Sequence, residues 1–87
     1  MPPITIYTKA FCPYCVAAKA LLKSKNAPFT EIRVDRDSAA QSAMAARAGG
    51  RRTVPQIFFG DRHIGGCEDI EALEEIGELD PLLAADR

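Results

Sequence analysis

The chain has 87 residues, of which 47% are apolar and 26% charged. That is one domain, residues 1–87, with a modest core, and it excludes the disordered, fibrous and membrane-spanning classes. A net charge of −1 leaves no electrostatic footprint for nucleic acid, and three cysteines, an odd set, argue against a secreted disulfide framework and for a reducing compartment, expected to be the cytoplasm.

Met1-Pro2-Pro3-Ile4-Thr5 lacks the basic region of a signal peptide. Ile4 to Thr8 is a β-branched and aromatic run that predicts a buried central strand. From Pro13 the pattern turns helical, with Val16, Ala17, Ala20 and Leu21 as its apolar residues and Lys19, Lys23 and Lys25 toward the C-terminal end, where cations suit the helix dipole. Asn26-Ala27-Pro28 stops it. Phe29 to Asp35 alternates apolar and charged residues, as a strand with one wet face does. Asp37 or Ser38 then caps an alanine-rich helix running to about Arg47, closed by Gly49 and Gly50. Handedness rules make the first two strands parallel.

After Arg51-Arg52-Thr53-Val54-Pro55, the segments Gln56 to Phe59 and Arg62 to Gly65 flank Gly60-Asp61 and predict a hairpin; Phe58 and Phe59 alternate faces, so one of them is core. Pro55 at the strand entry donates no ladder bond and leaves the backbone before it free for other partners. Gly65-Gly66-Cys67-Glu68-Asp69 leads into a third amphipathic helix carrying Ile70, Leu73 and Ile76, with acidic residues in its first turn and Gly77 at its end. Asp80 and Pro81 start a final short turn, followed by a frayed tail over residues 84–87.

Chemistry concentrates at Cys12-Pro13-Tyr14-Cys15. Cys12 falls at the cap of the first helix, where backbone N–H groups lack partners and the dipole is positive, so a thiolate is stabilised there; Pro13 suits the first helical position. Cys15 lies one turn on and more covered, within reach of a disulfide to Cys12. Access and thiolate character together make Cys12 the attacking thiol and Cys15 the resolving one. Taken alone, a Cys-x-x-Cys pair is either redox-active or metal-binding.

Cys12-Pro13-Tyr14-Cys15, Thr53-Val54-Pro55 and Gly65-Gly66-Cys67-Glu68-Asp69, in that order, give the chain a resemblance to the dithiol glutaredoxins of the small bacterial type over nearly its whole length. The resemblance implies an α/β thioredoxin fold: a four-stranded mixed sheet in the order β-α-β-α-β-β-α, helices on both faces, and a cis Val54–Pro55 bond. It also implies glutathione as co-substrate, with the Val54 backbone pairing the tripeptide as an added strand would, in a site that includes Thr53, Pro55 and Gly66. The N–H groups of Cys67 and Glu68 are then placed to hold the γ-glutamyl carboxylate and Asp69 its ammonium. Lys9, with one of Arg47, Arg51 or Arg52, faces the glycyl carboxylate, and Tyr14 flanks the tripeptide. The implied activity is glutathione-dependent reduction of protein disulfides and protein–glutathione mixed disulfides by a cytoplasmic monomer, without metal, nucleic acid or membrane. Ribonucleotide reductase, a sulfur-assimilation reductase and a broad set of glutathionylated proteins all stay open as partners.

Other readings stand beside this one. His63 and Cys67 could join Cys12 and Cys15 as four zinc ligands, although His63 also reads as a hairpin decoration. A cluster of iron and sulfur shared by two chains is an option that Pro13 disfavours by resemblance. A thioredoxin-reductase-dependent redoxin would keep both cysteine roles without the glutathione site, and a passive binding module would not need Cys12 and Cys15. Cys67 is either a small buried residue or an oxidisable thiol. Lys9 and the Arg51-Arg52 pair are either ligand contacts or solvated charge.

Overall fold

The structure, a computed structural model, describes residues 2–85. The elements follow in the order β1 (Ile4–Thr8), α1 (Pro13–Ser24), β2 (Thr30–Arg33), α2 (Ser38–Arg47), β3 (Gln56–Phe59), β4 (Arg62–Gly65), α3 (Cys67–Glu75) and α4 (Leu79–Ala84). The sheet order is β2-β1-β3-β4. β1 and β2 are parallel, with Tyr7 opposite Ile32, whereas β3 runs antiparallel to both β1 and β4. This is the mixed four-stranded sheet that the resemblance implied.

Period-2 alternation divides the core between the two sheet faces. Ile4, Ile6, Ile57 and Phe59 face Ala18 and Leu22 of α1, Ile70 of α3, and Leu79 and Leu83 of α4. Tyr7 and Phe58 face Met44 of α2 together with Val34 and Ala48. Both phenylalanines of β3 are therefore core, because helices cover both faces; the expectation of one core phenylalanine assumed a sheet with one wet side. β2, at the sheet edge, keeps its exposure.

Three local readings are corrected by the packing. The buried face of α1 is Cys15, Ala18 and Leu22, with Ala17 and Leu21 at its margin and Val16 exposed. The sheet meets the helix on the stripe carrying Cys15, one position round from the apolar stripe chosen on composition. Ile76 caps α3 at its C-terminal end and is exposed, since the helix closes one turn after Leu73. α4 starts at Leu79 behind Glu78, so Pro81 sits in its first turn rather than after a cap at Asp80. Ala84 is the last residue of α4; Asp86 and Arg87, also expected to fray, lie outside the described residues, as does Met1. A clamp ties the C-terminal end of α1 to α3 and α4, with Lys25 Nζ 2.8 Å from Glu74 and 2.9 Å from Asp80. No described helix is long and apolar enough to cross a membrane.

Candidate active site

Phe11, at φ +56°, turns the chain out of β1 and into α1. Cys12 is then the N-cap in extended conformation, Pro13 opens the helix, and the Cys15 N–H donates to Cys12 Sγ across 3.2 Å. A sulfur in this position takes up a first-turn N–H that would otherwise have no partner and lies at the positive end of the dipole. Cys12 is partly exposed while Cys15 is buried, and both are free thiols. Burial first, and then the hydrogen bond with Cys12, push the Cys15 thiol up to about 12. The two sulfurs thus differ in access, and burial works against ionisation of Cys15, an asymmetry that suits an attacking and a resolving thiol.

Across from Cys12 stands the loop that precedes β3. The Val54–Pro55 bond is cis, and the Val54 carbonyl lies 3.9 Å from Cys12 Sγ. Pro55 backs onto the start of α3, where a Cβ on Gly66 would stand 3.3 Å from the Pro55 carbonyl. Gly65, at φ +120°, has no room for a side chain at all: a Cβ there would come within 2.3 Å of the Asp69 carboxylate. That carboxylate accepts from the Gly66 N–H at 2.8 Å and from Arg51 at 3.3 Å. The Gly66 N–H, then Arg51, hold the Asp69 carboxyl below its ordinary range against a smaller opposing effect of burial. Cys67, first in α3, is buried, and burial followed by Glu71 raises its thiol.

Between the two helix starts opens a cleft of about 630 Å³ lined by Tyr14, Arg51, Thr53, Val54, Pro55, Gly66, Cys67, Glu68, Asp69 and Glu71. Its size suits a small peptide. All the residues singled out from the sequence around Thr53-Val54-Pro55 and Gly66-Cys67-Glu68-Asp69 meet there, with Tyr14 opposite. Of the three candidate arginines, Arg51 lines the cleft. Arg47 instead lies over the Phe58 ring at 4.0 Å and donates to the Tyr7 hydroxyl. Lys9, expected from the sequence to face the ligand, does not line the cleft but a separate hollow with Asp35, Arg36 and Asp37. Glu71 was missed from the sequence, although its place one turn beyond Cys67 on the same helix was the available signal.

Among the described residues no three His, Cys, Asp or Glu side chains gather as a metal-binding group. His63 is stacked on Phe58, with its Nε2 2.6 Å from Gln56 Oε1.

Comparison with known proteins matches residues 4–64 to the Glutaredoxin family model. The glutaredoxin of Pseudomonas aeruginosa is 51% identical over 98% of this chain and all of its own length, and glutaredoxin 3 of Escherichia coli K12 is 53% identical over 95% and 99%. A buckwheat glutaredoxin–glutathione complex superposes with a TM-score of 0.85 at 34% identity, covering 94% of this chain and 76% of that one. The solution structure of a Brucella melitensis glutaredoxin gives 0.83 at 49% identity, covering 95% and 89%.

Proposed function

The chain belongs to the glutaredoxin family and is a glutathione-dependent thiol–disulfide oxidoreductase, and on that premise we propose that it reduces protein–glutathione mixed disulfides and protein disulfides through Cys12 as nucleophile and Cys15 as resolving thiol. The observation that carries this reading is Cys12 Sγ itself. It caps α1, accepts the Cys15 N–H at 3.2 Å and stands 3.9 Å from the Val54 carbonyl at the cleft.

In the first route the Cys12 thiolate attacks the glutathione sulfur of a mixed disulfide. The protein thiolate leaves and takes a proton from solvent, and Cys12 carries the glutathione. A second glutathione thiolate attacks that glutathione sulfur, releasing oxidised glutathione and restoring the Cys12 thiolate. In the second route Cys12 attacks one sulfur of a protein disulfide, and Cys15, once deprotonated, attacks Cys12 Sγ and expels the reduced protein; two glutathiones then reduce the Cys12–Cys15 bridge. Burial of Cys15 works against its ionisation, which favours the first route because the glutathionylated Cys12 waits for the second glutathione.

Glutathione is read into the cleft by charge and backbone. Val54 pairs the extended tripeptide through its main chain, beside Thr53 and cis-Pro55 and flanked by Tyr14. The N–H groups of Cys67 and Glu68, behind Gly66, receive the γ-glutamyl carboxylate at the α3 N-terminus, and Asp69 its ammonium. Arg51, paired with Asp69 at 3.3 Å, belongs with the γ-glutamyl end, and Lys9 is left to serve the glycyl carboxylate. We place the protein in the cytoplasm, acting as a single-domain monomer of residues 1–87 on glutathionylated and disulfide-bearing proteins.

The test follows NADPH oxidation with a small mixed disulfide, comparing glutathione plus glutathione reductase with thioredoxin reductase alone. Turnover with glutathione only is the expected result. Turnover with thioredoxin reductase only would keep both cysteine roles and remove the glutathione site.

A further inference from the structure

Thr53 and Val54 precede β3 and stand outside its ladder, yet on the proposed reading they must offer a fixed edge to an extended ligand. Two glutamines hold this loop. Gln41 of α2 donates its side-chain amide to the Arg52 carbonyl at 3.0 Å. Gln56, wholly buried at the start of β3, donates its Nε2 to Thr53 Oγ1 at 3.1 Å.

Gln56 is itself held by His63. Its Oε1 lies 2.6 Å from His63 Nε2, and because its Nε2 is the donor to Thr53, its oxygen must accept, so His63 Nε2 carries the proton. The imidazole has little freedom. It sits on β4 in register with Phe58 and stacks on that ring at 4.9 Å. Burial, then Arg51 and Arg47, lower the His63 pKa against a smaller pull from Asp69, so the neutral ring with its single N–H is the form present at neutral pH. Hydrogen bonds thus run in one direction, His63 to Gln56 to Thr53. One acceptor position of the Thr53 hydroxyl is filled from behind, which leaves its own proton free to turn toward the cleft that Thr53 lines.

We propose that Gln56 and His63 are positioning residues for the glutathione reaction: from behind the loop they set the orientation of the Thr53 side chain and, through it, the Thr53–Val54 backbone that receives the tripeptide. The proposal rests on the reading that this loop binds glutathione. Without the His63 N–H, the buried amide of Gln56 is free to turn over and present its oxygen to Thr53, reversing the polarity of that hydroxyl. Cys12 caps α1 and meets this loop only where its Sγ lies 3.9 Å from the Val54 carbonyl, and the N–H of Cys15 that its sulfur accepts belongs to α1, so its reactivity toward a small alkylating agent is kept.

The test compares His63→Phe, which keeps a stacking ring but has no N–H, with Gln56→Leu and with His63→Gln, which restores an amide donor at the same reach. With a glutathionylated peptide, His63→Phe and Gln56→Leu are expected to raise KM about tenfold, the order of one lost buried hydrogen bond, with kcat and the rate of Cys12 alkylation by iodoacetamide unchanged. His63→Gln should recover most of the KM. In the wild-type protein, nitrogen-15 NMR should show His63 as the single Nε2–H tautomer, a readout that survives even if a variant fails to fold. An Nδ1–H tautomer, or unchanged KM in both folded variants, would overturn the proposal. Asp69→Asn is the control. If it raises KM while His63→Phe does not, only the positioning role fails; if neither does, the glutathione reading of the cleft fails and takes the proposal with it.

Discussion

The two helix N-termini that border the cleft are capped in opposite senses. At α1 the cap residue supplies the acceptor: Cys12 Sγ takes the N–H of Cys15, three residues on. At α3 the third residue supplies it: the Asp69 carboxylate reaches back to the N–H of the cap, Gly66. The first turn of α1 has no acidic residue, whereas that of α3 has Glu68 and Asp69. The same positive helix end therefore serves two ends. Where the acceptor is the cap residue itself and is reachable, as at Cys12, the role we propose for it is that of nucleophile. Where it is a carboxylate one turn in, paired with Arg51, it fixes the backbone to which we assign the ligand.

The most severe way to break this contrast is Cys12→Ser, which removes the α1 acceptor sulfur. Both deglutathionylation and dithiol reduction should fall to background in the NADPH-coupled assay, and full deglutathionylation by this variant would sink the assignment. Cys15→Ser should separate the routes, retaining deglutathionylation and losing most reduction of protein disulfides. On the α3 side Gly65→Ala should destabilise the protein by roughly 1–3 kcal/mol, since a side chain at φ +120° is strained and its Cβ would strike the Asp69 carboxylate. Denaturant melts would reveal this, and a KM for glutathionylated peptide that rises with it would tie the cap to binding.

Asp69→Asn should have a smaller effect on stability, about 0.3–1 kcal/mol, because asparagine still accepts a hydrogen bond and only the charge is lost. Its pH dependence has a definite sign. The Asp69 carboxyl is held below its ordinary range in the folded protein, so its contribution is present above the unfolded value of about 3.9 and is lost as pH falls through the folded one. The difference in Tm between wild type and Asp69→Asn should accordingly narrow as pH drops below about 4. A gap that stays constant down to pH 2 would show that the carboxylate is not what stabilises the cap.

The order of elements, the parallel first strand pair, a cap of α2 at Asp37 or Ser38, which the structure gives to Asp37, and the place of the two cysteines at the start of α1 were legible in the sequence, because each depends on residues a few positions apart: a cap, a proline at the first helical position, a period of two or of 3.6. The residue types that line the cleft were legible too, through motifs that carry a resemblance. What only the tertiary structure decided are relations between segments distant in the chain. Which arginine lines the cleft depends on how the loop before β3 lies against α3, and it brings Arg51 to Asp69 while Arg47 is held over the Phe58 ring and bonded to the Tyr7 hydroxyl. Which stripe of α1 is buried depends on the face the sheet presents, and that moved the core from Val16 to Cys15 and Ala18. His63 read as a surface decoration because nothing near it in the chain announces a partner. Its partner, Gln56, lies on the neighbouring strand, and only the register of β3 against β4, followed by the turn back to Thr53, links the hairpin to the edge of the cleft.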